Sequence, residues 1–195
     1  MCAIVLINLF EVDPDADEPF IADWEEARDF LKWKDGFLRT ALHRSLAPDA
    51  AFRFVNMAEI ASVDAWRALV GDPRFPGREA SSPSHPGLYE VLIKDDGVPE
   101  DAAVLINAFD VPHDHEEAAF TTPWHEARDH LSSKPGYLGS RLHRCIGAAD
   151  FRFVNVAWWE SAESFGGAVR DPGFGAIAAR MPYEGRSGLY EVIRR

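Results

Sequence analysis

Cysteine is scarce in this chain, with Cys2 and Cys145 the only two in 195 residues. Basic residues are outnumbered, 20 Lys and Arg against 32 Asp and Glu, for a net charge of −12. The acidic residues are interspersed rather than run together, and no Lys/Arg cluster stands out. That excludes nucleic acid as a partner, because phosphate binding rests on clustered cations. It equally disfavours an anionic membrane surface. No apolar run approaches the roughly 20 residues needed to span a bilayer. The first ten residues, MCAIVLINLF, lack a basic segment and a small-residue cleavage site, so they read as a strand and not a signal peptide. No GxGxxG follows a strand, and there is no P-loop and no GxSxG, which removes the dinucleotide, nucleotide-phosphate and serine-hydrolase signatures. His113 and His115 lie in an acidic turn, and His125 and His130 are five apart on a helix. Zinc needs three or four convergent ligands, and these four do not supply them.

What the chain has is itself twice. AFRFVNMAEIAS at 51–62 recurs as DFRFVNVAWWES at 150–161. VLIN at 5–8 returns at 104–107, GFLRTALHRS at 36–45 as GYLGSRLHRC at 136–145, and GLYEV at 87–91 at 188–192. The second copy lies 99 to 101 residues downstream. A period that long is a duplicated domain and not a solenoid, whose repeats run about 20–50 residues. The two cysteines fall at unmatched positions, so neither copy carries a disulfide of its own. A cytoplasmic protein with free thiols is the expectation. The boundaries read as a first module at 1–94, a polar linker at 95–102 and a second module at 103–195.

Residues 3–12 are apolar on both alternating faces, as a strand buried on both sides would be. Phe20, Trp24, Ala27 and Leu31 then share one face of a helix that Asp35-Gly36 ends. Strands follow at 37–46 and 52–60. Ser62 caps a second helix, stopped at Asp72-Pro73, and a fourth strand covers 87–93. The order β-α-β-β-α-β is the ferredoxin-like pattern. The fold class is therefore α+β, two tandem ferredoxin-like modules. Val5, Ile7, Leu9, Val55 and Met57 make the sheet face away from the helices apolar too. Sheet-on-sheet packing of the modules, a pseudo-symmetric α+β barrel within one chain, would bury it.

Four asparagines interrupt these apolar faces: Asn8, Asn56, Asn107 and Asn155. With the first and third strands as neighbours, Asn8 and Asn56 lie together beneath Trp24, and Asn107 and Asn155 beneath Trp124, with Phe54 and Phe153 alongside. An apolar, aromatic-walled pocket with a few convergent amides is the form of a small-molecule site. The alternative is that each pair satisfies itself or a backbone bulge, since a buried amide without a partner is costly. Arg44 and Arg144 read as partners of nearby carboxylates, and Tyr89 and Tyr190 as sheet packing.

GYLGSRLHR, FRFVNVAWWES and DPGF at 171–174, with their first-copy counterparts GFLRTALHR, FRFVNMAEIAS and DPRF, resemble the antibiotic biosynthesis monooxygenase family. The resemblance covers both modules. It implies a dimeric α+β barrel, here in a fused version with further homo-oligomerisation left open. It also implies, in some members, oxygenation of polycyclic aromatics by O2 without metal, flavin or haem. In that branch an Asn on the third strand is followed four residues later by a Trp. Asn155 and Trp159 match, whereas the first copy has Asn56 and Ile60, so the resemblance points to the second module.

The implied activity is a cofactor-independent monooxygenase acting on an aromatic or polyketide-like small molecule. The expected catalytic residues are Asn155, Trp159, Asn107 and His143. Asn107 and Asn155 would donate to a developing enolate oxygen. His143, matched by His43, would move the proton, although an LHR at a strand end also reads as an exposed edge. Trp124, Phe153, Asn8, Asn56, Trp24 and Phe54 would bind substrate. The alternatives are a non-catalytic binding protein on the same scaffold and haem binding or degradation. The haem-degrading pattern needs a first-strand Asn, a Trp in the second helix (Trp66; Phe165 in the second copy) and a ligating His (His85; Arg186 in the second copy).

Overall fold

The computed structural model describes residues 3–78, 82–95 and 102–195. Cys2 and most of the expected linker lie outside them. The first repeat is β1 (Ile4–Phe10), α1 (Asp17–Leu31), β2 (Phe37–Ser45), β3 (Phe54–Ile60), α2 (Val63–Gly71) and β4 (Ser84–Lys94). The second is β5 (Ala103–Phe109), α3 (Glu117–Ser132), β6 (Tyr137–Cys145), β7 (Phe153–Trp159), α4 (Ala162–Val169), α5 (Pro172–Ala178) and β8 (Gly185–Arg194). The fold is α+β, with two ferredoxin-like modules in tandem. By contacts the chain divides into two units. One is Met1–Glu90 with Cys145–Asp150 and Val192–Arg195, and the other is Val91–Arg144 with Phe151–Glu191. In the first repeat β1 pairs with β3 and β4 and β3 with β2, and in the second β5 pairs with β7 and β8 and β7 with β6, all antiparallel.

The local physics is shared by the two copies. Ser62 and Ser161 accept the Ala65 and Ser164 amides and so cap α2 and α4. Gly36 and Gly136 make the turn after the first helix at φ 88° and 82°. A Cβ there would stand 2.5 Å from the Ala65 or Ser164 Cβ, so only glycine fits on both counts. A bulge between Phe37 and Arg39, and again between Tyr137 and Gly139, resets the alternation of the second strand. In the first unit Arg53 grips the Asp17 carboxylate through Nε (2.9 Å) and Nη2 (2.5 Å), which fixes the start of α1 over β3. In the second unit Arg144 meets Glu117 at 2.5 Å, a carboxylate partner of the expected kind.

The segment after the second helix departs from the repeat. Asp171 accepts from the Gly173 and Phe174 amides and opens the short helix α5. The first copy has Pro76 four residues after Asp72, and makes only a 3-10 turn over Pro76–Arg78. Proline has no N–H to carry such a helix on.

Candidate functional site

Asn8 and Asn56 are directly paired across β1 and β3, as are Asn107 and Asn155 across β5 and β7. The two first-copy amides lie in the lining of a cavity of about 580 Å³ in the first unit. Leu6, Leu31, Ile60, Trp66, Val70 and Phe75 form much of its apolar wall, and Trp24 and Thr40 join the amides. That volume is within the range of about 300–1,000 Å³ typical of small-molecule sites. Asp23, Glu26 and Arg28 are its charged lining residues.

The polar end is ordered by hydrogen bonds. The Trp24 indole Nε1–H donates to Asn56 Oδ1 at 2.9 Å, and the Thr40 hydroxyl donates to the same oxygen at 2.7 Å. Asn8 Oδ1 is buried and has no partner among the described residues. What the end of the cavity can offer is therefore the amide nitrogen of Asn56, beside an Asn8 oxygen that is itself closed off. Thr40 was not a candidate from sequence. Its signal is register, because it shares the helix-facing side of the sheet with Leu42, which pairs with Asn56.

The second unit arranges the matching residues differently. Trp159 is fully buried, with its ring edge-on to Tyr137 at 5.3 Å and to Phe165 at 5.5 Å. It belongs to a core cluster with Leu105, Ala157 and Ala168. Ile60, its counterpart, is equally buried in a core cluster with Leu6, Leu31 and Leu69, and is among the residues around the first-unit cavity. The Oδ1 atoms of Asn107 and Asn155 and the Nε1 of Trp159 are buried without partners among the described residues. Ser140 replaces Thr40, and both its amide (2.8 Å) and its hydroxyl (3.3 Å) turn to Asp95. Arg128 and Tyr137 also donate to Asp95. Burial works against the charged Asp95 carboxylate, but the Ser140 amide, the Tyr137 hydroxyl and Arg128 outweigh it and hold the carboxyl below its usual range. Trp124 packs with Phe120, Leu142 and Phe153.

Phe54 and Phe153 are fully buried and stack on Phe20 and Phe120 at 4.6 and 4.3 Å. They support the helix from within the core, and Phe54 is not part of the cavity lining. Tyr89 and Tyr190 are buried in the sheets, and burial raises their hydroxyl pKa values.

His43 and His143 are not at an exposed strand edge; they are 5% and 1% exposed. Each sets its Nδ1 at 3.1 Å from a backbone carbonyl, Val55 O or Val154 O. Leu42 and Leu142 belong to the helix-side clusters, so strand alternation turns both histidines to the opposite face. Burial pushes His43 down to about 4, so it is neutral at pH 7.

His85 also has its nitrogens engaged, Nδ1 with Asp150 at 2.6 Å and Nε2 with Glu11 at 3.0 Å. Burial opposes the charged form, but the two carboxylates outweigh it and raise the pKa. An imidazole with both ring nitrogens held by carboxylates has no free lone pair to offer iron. The residue that the haem reading requires does not fit that role.

Among the described residues no helix is long and apolar enough to cross a membrane, and no group of three or more His, Cys, Asp and Glu could hold a metal ion.

Comparison with known proteins gives a family and a fold. The sequence model described as "Antibiotic biosynthesis monooxygenase" matches residues 3–75 and 102–180. No curated protein matches. Among solved structures, an anthrone oxidase-like protein superposes with a TM-score of 0.75 at 15% identity, covering 98% of this chain and 92% of its own. A ferredoxin-fold protein from Listeria monocytogenes 4b F2365, related to antibiotic biosynthesis monooxygenases, gives 0.55 at 12% identity, covering 100% and 97%. A heme-degrading enzyme from Listeria monocytogenes gives 0.53 at 14% identity, covering 96% and 98%. At these identities the likeness is one of fold.

Proposed function

The chain belongs to the antibiotic biosynthesis monooxygenase family, and from that membership we propose that it oxygenates a flat aromatic or polyketide-like small molecule with O2. No cofactor takes part in the proposed reaction. The substrate lies in the cavity of the first unit. The observation that carries this is the apolar cavity of about 580 Å³ ending at Asn8 and Asn56. Apolar walls take the rings and exclude water, and the amides meet the one polar edge.

The chemistry asks little more of the protein. An anthrone-like substrate enolises by losing a methylene proton. Asn56 N–H donation to the carbonyl oxygen stabilises the resulting enolate, as in an oxyanion hole. The electron-rich enolate reduces O2 directly. One oxygen atom ends on carbon as a new carbonyl and the other leaves as water with the two methylene hydrogens. His43 is neutral, buried and on the wrong sheet face for the proton transfer. Of the lining residues, Asp23 and Glu26 carry bases, and the proton passes to them or to the water beside them.

Oxygen uptake by the metal-free protein with anthrone tests the reading. The expected result is protein-dependent uptake above autoxidation, with one O2 consumed per anthraquinone formed. Uptake equal to the protein-free rate would contradict it. A parallel haem titration distinguishes the alternative, since a sharp stoichiometric band would require a ligand other than His85.

A further inference from the structure

We infer that Thr40 is a positioning residue. With Trp24 it fixes the Asn56 side chain so that its N–H groups are what the cavity offers, and the site thereby selects a ligand bearing a hydrogen-bond acceptor. The inference rests on the cavity being a ligand site and names what that site recognises.

An asparagine amide has an acceptor end and a donor end of nearly the same shape, and its hydrogen bonds decide which end faces where. Here the choice is forced. An indole nitrogen only donates, so the atom 2.9 Å from Trp24 Nε1 must be the amide oxygen. Thr40 fills the second acceptor position of that oxygen at 2.7 Å. The same hydroxyl also approaches Met57 O at 3.1 Å, but its single proton goes to the closer oxygen. With both oxygen positions taken, Asn56 has only N–H left to give a ligand. Across the strand pair, Asn8 Oδ1 is an acceptor without a partner. A ligand carbonyl that accepts from Asn56 meets the group the cavity offers, while the Asn8 oxygen stays closed off beside it.

The second unit shows the arrangement without the clamp. Ser140 gives its hydroxyl to Asp95, and Asn155 Oδ1 is unpartnered. Conservation of the asparagine between the repeats therefore does not by itself fix how the amide is used. The two donors around it do, and Thr40 is the one whose residue type differs between the repeats.

The test uses the full chain with two probes of nearly the same shape, anthrone and 9,10-dihydroanthracene, which lacks the carbonyl. Thr40→Val keeps the side-chain shape and removes the hydroxyl, and Thr40→Ser retains the hydroxyl. Thr40→Val is expected to weaken anthrone about tenfold, the worth of roughly one hydrogen bond. Dihydroanthracene binding stays unchanged, and Thr40→Ser restores anthrone. A merely structural role would weaken both probes alike, and that result, or no change in either, overturns the inference. Should wild-type protein bind neither probe, the proposed function fails and the clamp is judged by itself. The Asn56 Nδ2–H NMR signals are then expected to shift and exchange faster in Thr40→Val and to recover in Thr40→Ser. Signals unmoved by Thr40→Val would overturn it.

Discussion

Asn56→Ala is expected to lower kcat/KM for anthrone by about 10²–10³, the typical loss on removing one donor from an oxyanion site. Asn155→Ala is expected to cost far less. The two residues occupy the same place in the two repeats, but Asn56 lines an open cavity and has its oxygen held by Trp24 and Thr40. Such a donor is preorganised, so no reorganisation is spent when charge develops on the substrate oxygen. Asn155 is not clamped in this way. Removing Asn56 also strands the Trp24 N–H, at a cost of about 1–3 kcal/mol in stability. Rates should therefore be compared at matched folded fractions. Equal losses in the two variants would show that both modules work, and a larger loss in Asn155→Ala would move the site to the second.

Trp159→Ala is expected to destabilise the protein by about 3–5 kcal/mol, as large-to-small changes at buried aromatic positions do. Denaturant unfolding measures it. The indole is fully buried among Leu105, Ala157 and Ala168, with Tyr137 and Phe165 against its edges. Trp159→Phe should cost much less. It trims volume, but it also removes an N–H that is buried without a partner, and deleting an unsatisfied donor offsets part of the packing loss. On this account neither change lowers the oxygenation rate per folded molecule. A Trp159→Phe protein that is stable but inactive would make Trp159 a substrate contact after all.

The fold was legible because each element repeats its own local reason. The apolar run of β1, the face of Phe20, Trp24 and Leu31, the glycine turns and the serine caps all occur in both copies, and each repetition supports the other. The adjacency of Asn8 with Asn56 and of Asn107 with Asn155 followed from strand order. What the sequence could not display was volume. An Asn and a Trp four residues apart in 150–161 match the family motif, but whether an indole faces a cavity or fills it depends on everything packed around it. Ile60 is as buried as Trp159, and its smaller side chain is among the residues around the first-unit cavity. His43 and His143 read as an exposed edge because LHR ends a strand. Both lie on the sheet face away from the helices, which the alternation of Val5, Ile7, Leu9 and Val55 already marks as apolar, so register and not the strand end decides their burial. Thr40 lies on the helix-facing side by register, but its importance rests on one hydrogen bond across two strands, which no local pattern displays.

The most direct test of the first-unit site is an anthrone titration followed by the indole N–H signals of the six tryptophans. Trp24 and Trp66 line the proposed cavity, and Trp124, Trp158 and Trp159 belong to the second repeat. Assignment by single Trp→Phe variants makes the readout unambiguous. The account predicts saturable shifts of Trp24 and Trp66, with the second-repeat signals still. Shifts of Trp124 and Trp159 with Trp24 and Trp66 unmoved would contradict it and place the ligand in the other module.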